Sequence, residues 1–151
     1  MRSAQYEQKI LRVMNAVAAG TTDQTTSVVD MTADGGWESA EFVAAFGTLT
    51  AGQVTKMKIQ QSSDDGVADA YSDLAGSLTA SLADGDSNKF IRYEVLAPEK
   101  AYLKAVLDRG TQNAVIDGVF VILRRGRKLP LTQSSTVAIT KSINRSAEGT
   151  A

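Results

Sequence analysis

The sequence contains neither cysteine nor histidine, and only two of its 151 residues are proline. Without cysteine there are no disulfides, thiol nucleophiles or thiolate zinc sites. Without histidine there is no ordinary catalytic triad and no imidazole-bound metal. Glycine-rich phosphate loops and the GxSxG nucleophile motif are also missing. Catalysis by carboxylates or by a serine–lysine pair stays open but has no supporting motif, so we predict a protein that is not an enzyme and needs no cofactor.

Long apolar runs are missing as well. No stretch approaches the roughly eighteen apolar residues of a membrane span, and the start, MRSAQYEQKI, does not have the apolar region of a signal peptide. We therefore expect a soluble protein that contacts no membrane and is not exported by a cleaved signal. With 43% hydrophobic residues, the 151-residue chain can bury the core of one domain of ordinary size.

Charge is nearly balanced in total but unevenly distributed. The formal net charge is −1, yet residues 1–86 carry 5 basic and 12 acidic side chains (−7), whereas residues 87–151 carry 11 and 5 (+6). Such blocks can form complementary patches for a partner or a second subunit. A nucleic-acid-binding protein would more usually be basic overall, so we predict no nucleic-acid partner.

Strand patterns dominate the middle of the chain. Apolar and polar residues alternate over residues 55–60 and 91–95, which is typical of half-buried strands. Ala40–Phe46 and Ala114–Leu123 are apolar on both faces, as central strands are, with a possible bulge at Asp117-Gly118. Shorter candidates are residues 28–31 and 78–82. Turn signals at close spacing between these runs predict an all-β sandwich or barrel.

Two segments favour helices instead. Tyr6, Ile10, Val13, Met14 and Val17 have helical spacing with Gly20 after them. The segment from residue 98 to residue 110 begins with Pro-Glu and ends in glycine, like a capped helix. Residues 67–74 are also compatible with one short helical turn. Local pattern alone therefore conflicts with an all-β fold in these places.

Two acidic turns could suggest a metal site. The stretch SSDDGVADAYSD around Asp64 and Asp65 does not match a calcium loop, and DGDSNKF, which contains Asp84 and Asp86, has Lys89 where such a loop needs glycine. Aspartate next to glycine also closes turns by accepting hydrogen bonds from nearby backbone amides. We predict that these turns are structural and that the protein binds no metal.

Candidate contact residues cluster after the most apolar strand and near the C-terminus. The basic run RRGRK could grip phosphates or an acidic protein surface, or it could be a solvated turn; we favour the solvated turn or a protein partner over nucleic acid. Trp37 is expected to anchor the core, although it and Tyr71 are also the aromatic candidates for a glycan site. The predicted partner contacts are Arg124, Arg125, Arg127, Lys128, Ile139 and Ile143.

Several stretches resemble one group of viral proteins. They are SVVDMTADGGWESAEFVAAFGTL, VTKMKIQQSSDDGVADAYSDLAGS, AYLKAVLDRGTQNAVIDGVFVILRRGRKLPLTQS and the terminal AEGTA. In this order they resemble the small head decoration, or cement, proteins of tailed bacteriophages, over about residues 27–151. The resemblance implies a jelly-roll-like antiparallel β-sandwich with no catalytic residues. It also favours a strand at Tyr102–Asp108 over the helix that the local pattern suggests.

The same resemblance implies a structural role. Such a protein would sit on the capsid exterior after assembly in the host cytoplasm, bind the major capsid protein and bridge shell subunits, typically as a homotrimer. Under this reading residues 1–26 form an N-terminal arm, residues 27–130 the sandwich and residues 131–151 a C-terminal arm. Rival interpretations are a head-fibre base or tail-associated adaptor, and a glycan-binding attachment module.

Overall fold

The fold contains two antiparallel sheets. The computed structural model describes residues 7–129 and 131–140. Within this part, sheet A has the order β1-β10-β5-β8, with β2 also paired to β10; sheet B has the order β3-β9-β6-β7, with β4 also paired to β9. The strands are β1 (Gln8–Met14), β2 (Val17–Gly20), β3 (Gln24–Thr25), β4 (Val29–Asp30), β5 (Ser39–Leu49), β6 (Lys56–Ser62), β7 (Ser72–Asp73), β8 (Phe90–Leu96), β9 (Tyr102–Asp108) and β10 (Ala114–Arg124). This architecture confirms the all-β, antiparallel sandwich.

The core lies between the two sheets. Sheet A contributes Phe42 and Phe46 of β5, and sheet B contributes Met57, Ile59 and the alternating apolar residues of β9, all at most 1% exposed. Every second side chain of a strand points to the same face, so the period-two pattern of the sequence becomes one buried face on each sheet. Together they form a single apolar cluster between the sheets.

The central strands of sheet A behave as predicted. β5 and β10 pair with each other and are flanked by β8 and β1, so both of their edges are hydrogen-bonded. The β5–β10 register shifts between Ile116 and Gly118, which confirms the bulge at Asp117-Gly118. Gly118 has a φ of 150°, and a Cβ at this position would lie 3.2 Å from the carbonyl oxygen of Met14. Glycine therefore allows β1 to approach the bulge closely.

The N-terminal helix prediction is wrong. Gln8–Met14 pairs antiparallel with β10, and Val17–Gly20 pairs with the start of β10. A helix there would leave one edge of β10 without partners, whereas the strands satisfy its backbone groups and bury Val13 to 5% exposure. Residues 8–25 thus contribute strands to both sheets, although the sequence interpretation placed them in an arm.

The second helix prediction is also wrong, and the strand that the resemblance favoured at Tyr102–Asp108 is confirmed. Leu103, Ala105 and Leu107 are fully buried between the sheets. Gly110, with a φ of 64°, ends β9 in a turn rather than a helix, and its N–H donates to the Asp108 carboxylate at 2.9 Å.

Two weaker expectations fail as well. Residues 67–74 form no helical turn, because β7 lies there instead. Residues 78–82 run beside β6 without forming a strand; the N–H of Thr79 donates to the carbonyl of Met57 and that of Leu82 to the carbonyl of Thr55, both at 2.8 Å. No helix in the described residues is long and apolar enough to cross a membrane.

Arg109 joins the N-terminal strands to the sandwich from within. Its side chain is 4% exposed and donates to three backbone carbonyls: Thr22 at 2.7 Å, Ala18 at 2.8 Å and Ala114 at 3.0 Å. A Cβ added at Gly20 would lie 3.0 Å from its guanidinium. The cation forms no ion pair among the described residues, so these carbonyl dipoles are what compensate its burial.

Candidate functional site

The outer face of sheet A carries both apolar and charged side chains. Residues directly opposite each other in an antiparallel sheet point to the same face. Three rows therefore cross this face from β1 to β8: Gln8, Arg124, Ser39 and Leu96; Ile10, Ile122, Glu41 and Glu94; and Arg12, Phe120, Val43 and Arg92. Ile10 is 43% exposed, Leu96 67%, and Phe90, which lies opposite Ala45 below the third row, 66%. Ile10 on β1 and Phe90 and Leu96 on β8 therefore lie at opposite edges of the face, with charged residues of the two middle strands between them.

A charged cluster lies in the middle of this face. Glu41 is 1% exposed, although it points away from the core, because Arg92 and Arg124 both form ion pairs with its carboxylate. Arg124 also lies 3.4 Å from the Glu94 carboxylate. A buried carboxylate needs such partners, since removing a charge from water is costly. Arg124, predicted as a partner contact, is thus engaged within the chain.

The other basic residues lie in the turn after β10. Arg125 has a φ of 55° and approaches Glu38 at 3.8 Å. The N–H of Arg127 donates to the carbonyl of Gly36 at 3.0 Å, which fixes the turn against the loop that carries Trp37. Arg127 and Lys128 form no ion pair in the described part of the chain. Among the predicted contacts, these two cations are therefore the ones whose charge is not neutralised by an ion pair in the described part of the chain.

Trp37 is a core residue, as predicted. It is 5% exposed, and Gly126 packs against its ring, where a Cβ would lie 3.0 Å from the ring edge. Two open clefts of about 310 and 320 Å³ flank it and share Pro98 and Arg127. Tyr71 is occupied too, with Lys104 Nζ 3.9 Å from its ring centre. Of the two aromatic candidates for a glycan site, Trp37 is therefore almost fully buried and Tyr71 is in contact with a lysine.

The first acidic loop uses its carboxylates internally. Asp64 accepts hydrogen bonds at 2.7–3.1 Å from the N–H groups of residues 67–69, and these bonds, first that of Ala68, lower its pKa. Lys100 and then Ser63 lower the pKa of Asp69 to about 2. Asp65 accepts from the Tyr71 hydroxyl at 2.7 Å. These hydrogen bonds and the ion pair with Lys100 stabilise the conformation of the loop.

The second acidic turn is built in the same manner. Asp84 accepts from the N–H of Gly52 at 2.8 Å. Asp86 accepts from Lys89 at 2.7 Å and from the N–H of Ala83 at 2.8 Å, and both bonds, that of Lys89 first, lower its pKa. Among the residues that the structure describes, no three acidic side chains are grouped so that they could hold a metal ion.

The segment 131–140 lies along β1. Gln133 donates from its side-chain amide to the carbonyl of Gln8 at 2.6 Å and accepts from the N–H of Ile10 at 3.3 Å. Thr136 accepts from the N–H of Arg12 at 3.2 Å. Ile139, a predicted contact, is 84% exposed, and Ile143 lies outside the described residues. The assignment of these six contact residues stays a prediction.

Sequence reasoning did not select the exposed apolar residues of sheet A. Phe90 and Leu96 could have been predicted as exposed, because the alternation that buries Ile91 and Val95 turns these two side chains outward. Ile10 was not selected, because the spacing of the apolar residues around it predicted a helix. The ion pairs of Glu41 could not be found without the register of β5 against β8 and β10.

Comparison with known proteins assigns no family to the chain. No protein-family model and no curated protein matches the chain. One similar solved structure is the crystal structure of the infectious bursal disease virus VP2 subviral particle, with 13% sequence identity and a TM-score of 0.45. The alignment covers 82% of this chain and 34% of the VP2 chain, so this protein spans about a third of the length of VP2. A likeness at this level does not identify a function.

Proposed function

We propose that the chain is a structural virion protein that binds the outside of a phage capsid and stabilises the shell by bridging its subunits. The observation that carries this proposal is the exposure of Ile10, Phe90 and Leu96 on the outer face of sheet A, which ends in a basic turn. The sequence resemblance to phage decoration proteins and the all-β sandwich support it. The proposal includes no catalytic step, cofactor, nucleic acid or membrane.

The two outer faces of the sandwich differ in a way that selects the docking side. On sheet B, Lys58 pairs with Asp73 at 2.7 Å, Lys56 pairs with Asp108 at 3.4 Å, and Lys104 Nζ lies 3.9 Å from the centre of the Tyr71 ring, so these three lysines have partners within the chain. On sheet A, large apolar side chains face solvent beside the cations of the basic turn. The fitting partner is a shell surface with an apolar patch bordered by carboxylates.

Docking of this kind stabilises a shell by mass action. A protein that binds assembled capsid better than free subunits shifts the equilibrium toward the assembled state. Burying one large aliphatic side chain contributes about 1.5–3 kcal/mol, so a few apolar contacts repeated over many copies suffice. The homotrimer that the resemblance implies stays a separate prediction, on which docking does not depend, and sedimentation at micromolar concentration tests it.

The experiment is binding to purified capsids that lack the protein. Ile10→Asp places a charge on the outer face of sheet A, and Thr25→Asp is the matched control, because Thr25 is exposed and lies opposite Val106 on the outer face of sheet B. Both variants are first checked for an unchanged melting temperature. We expect Ile10→Asp to weaken capsid binding on the order of tenfold or more and Thr25→Asp to leave it unchanged.

Three results would contradict the proposal. The first is equal binding by both variants, which would remove sheet A from the contact. The second is wild-type protein that does not bind capsids at all. The third is binding to tails in place of heads, which would favour the adaptor interpretation.

A further inference from the structure

β8 is an open edge of sheet A. At the two ends of its ladder with β5, the N–H of Phe46 donates to the carbonyl of Lys89 at 3.0 Å, and the N–H of Ala97 donates to the carbonyl of Glu38 at 2.8 Å. Because hydrogen-bonded pairs alternate along an antiparallel ladder, the backbone groups of Ile91, Tyr93 and Val95 point toward β5. Those of Phe90, Arg92, Glu94 and Leu96 point away from the sheet, and within the described residues they have no hydrogen-bond partner.

The opposite edge of the same sheet is protected. The register of β1 shifts between Arg12 and Met14, and such irregularities blunt an edge. Side chains of residues 133 and 136 also bond to the outward-pointing backbone groups of β1. β8 has neither device over its seven residues, and five of these are apolar or aromatic. An uncovered edge of this kind is a template for pairing with another strand.

We propose that β8 pairs antiparallel with β8 of a second copy of this chain, about a two-fold axis at Tyr93. The sequence FIRYEVL is complementary to itself in that arrangement. Phe90 lies opposite Leu96 of the second copy, Ile91 opposite its Val95, and Arg92 opposite its Glu94. Around the central pair of Tyr93 with its own copy, every cross-strand pair is then either apolar with apolar or cation with carboxylate, and pairs of these kinds stabilise sheets.

Backbone geometry and charge together select this register. Outward-pointing groups must face one another, which allows registers that differ by steps of two residues. One neighbouring register would place Arg92 opposite Arg92 of the second copy, and the other would place Glu94 opposite Glu94 of the second copy. Like charges directly opposite each other are destabilising. The register centred on Tyr93 is the one of these three that pairs opposite charges.

The contact would also extend an ion-pair network that each copy already has. Arg124 approaches Glu94 at 3.4 Å, and Arg92 pairs with Glu41. Across the axis, Glu94 of one copy meets Arg92 of the other, so charges of alternating sign run from one sheet into the next. The two A sheets become one continuous sheet. This pairing does not depend on capsid binding, so the two proposals can fail separately, but it is an alternative to the homotrimer that the resemblance implies.

The first experiment measures the mass of the full chain by sedimentation. Glu94→Pro removes an N–H that points away from the sheet, so an edge strand tolerates it while an added strand cannot pair there. Glu94→Gln is the matched control, because it keeps this N–H. We expect the wild type to contain an even number of copies, and Glu94→Pro to halve the mass by weakening association on the order of tenfold or more at an unchanged melting temperature. Glu94→Gln should weaken association less than Glu94→Pro.

Two outcomes would overturn the pairing. One is a wild type that is monomeric, or trimeric, at every concentration tested. The other is a Glu94→Pro variant that associates as the wild type does. A folded Glu94→Pro monomer that still binds capsids would support the β8 contact and show that docking is independent of it.

The second experiment tests the register by disulfide cross-linking. Because the chain has no native cysteine, only an introduced cysteine can form the cross-link. In the proposed register Tyr93 faces its own copy in a pair without hydrogen bonds, where Cα atoms are about 4.5 Å apart and a disulfide fits. The two copies of residue 94 would be about 8 Å apart, too far for a disulfide. Tyr93→Cys should therefore form a covalent dimer on mild oxidation, and Glu94→Cys should not. The reverse result, or no cross-link from either variant, would overturn the register.

Discussion

Replacing Arg109 should be one of the most destabilising single changes in this protein. The guanidinium satisfies three carbonyls that belong to β2, to the loop after it and to the start of β10. Arg109→Met keeps much of the buried length of the side chain but leaves these carbonyls without a donor. Each buried unsatisfied group costs about 1–3 kcal/mol, which for three carbonyls gives about 3–9 kcal/mol. Two of the three bonds are only part-buried, so we expect a total loss in the lower part of that range, about 3–6 kcal/mol. That is a large part of the roughly 5–15 kcal/mol by which a domain is stable.

Urea unfolding of the full chain measures this loss. The matched control is Arg12→Met, because Arg12 is an exposed arginine whose guanidinium only lies over the Phe120 ring at 5.7 Å. We expect the control to lose less than about 1 kcal/mol, and Arg109→Lys to fall between the other two, since an ammonium group cannot match the planar fork of a guanidinium. A loss below about 1 kcal/mol for Arg109→Met would refute the view that this side chain joins the N-terminal strands to the sandwich.

Three further predictions follow from other parts of the fold. Gly110→Ala should cost about 2 kcal/mol or more in urea unfolding, because the residue has a φ of 64° and the new methyl group would overlap a methyl group of Val54. Lys100, followed by Ser63, lowers the pKa of Asp69 to about 2 in the folded state, from its usual value of 3.8. This contribution is therefore complete above about pH 4 and is lost as the pH falls through about 2, so Lys100→Met should make the stability loss over that range shallower in acid titrations. Truncation after residue 130 removes the half-buried Leu131 and the side chains that bond to β1, and should cost about 1–3 kcal/mol; an unchanged melting curve would show that residues 131–151 do not support β1.

The strands that the sequence predicted well are those whose pattern follows from burial alone. β6 and β8 have one buried face and therefore alternate, while β5 and β10 are central and mostly apolar on both faces, with Glu41 and Asp117 as exceptions inside the predicted runs. Both kinds of pattern follow from the pleat of a strand and from its place in the sheet. For β9, local pattern predicted a helix because Pro98 and Gly110, which lie in turns, are also typical of helix ends. The resemblance to a known family predicted the strand correctly.

The N-terminal strands could not be predicted from local pattern. The register shift between Arg12 and Met14 interrupts the alternation, and the spacing of apolar residues that remains is close to that of a helix. What decides the structure is pairing with β10, more than a hundred residues away along the chain. The engagement of Arg124 with Glu41 was hidden for the same reason, since it depends on which strands become neighbours.

A reconstruction of the particle that carries this protein, at side-chain resolution, tests the proposed function most directly. We expect the sandwich on the outer surface of the shell, with the face that carries Ile10 and Phe120 toward the capsid subunits and with Arg127 near their carboxylates. The outer face of sheet B, with its internally paired lysines, should point to solvent. Density for the chain on the tail, sheet B against the shell, or particles without the chain would contradict the account.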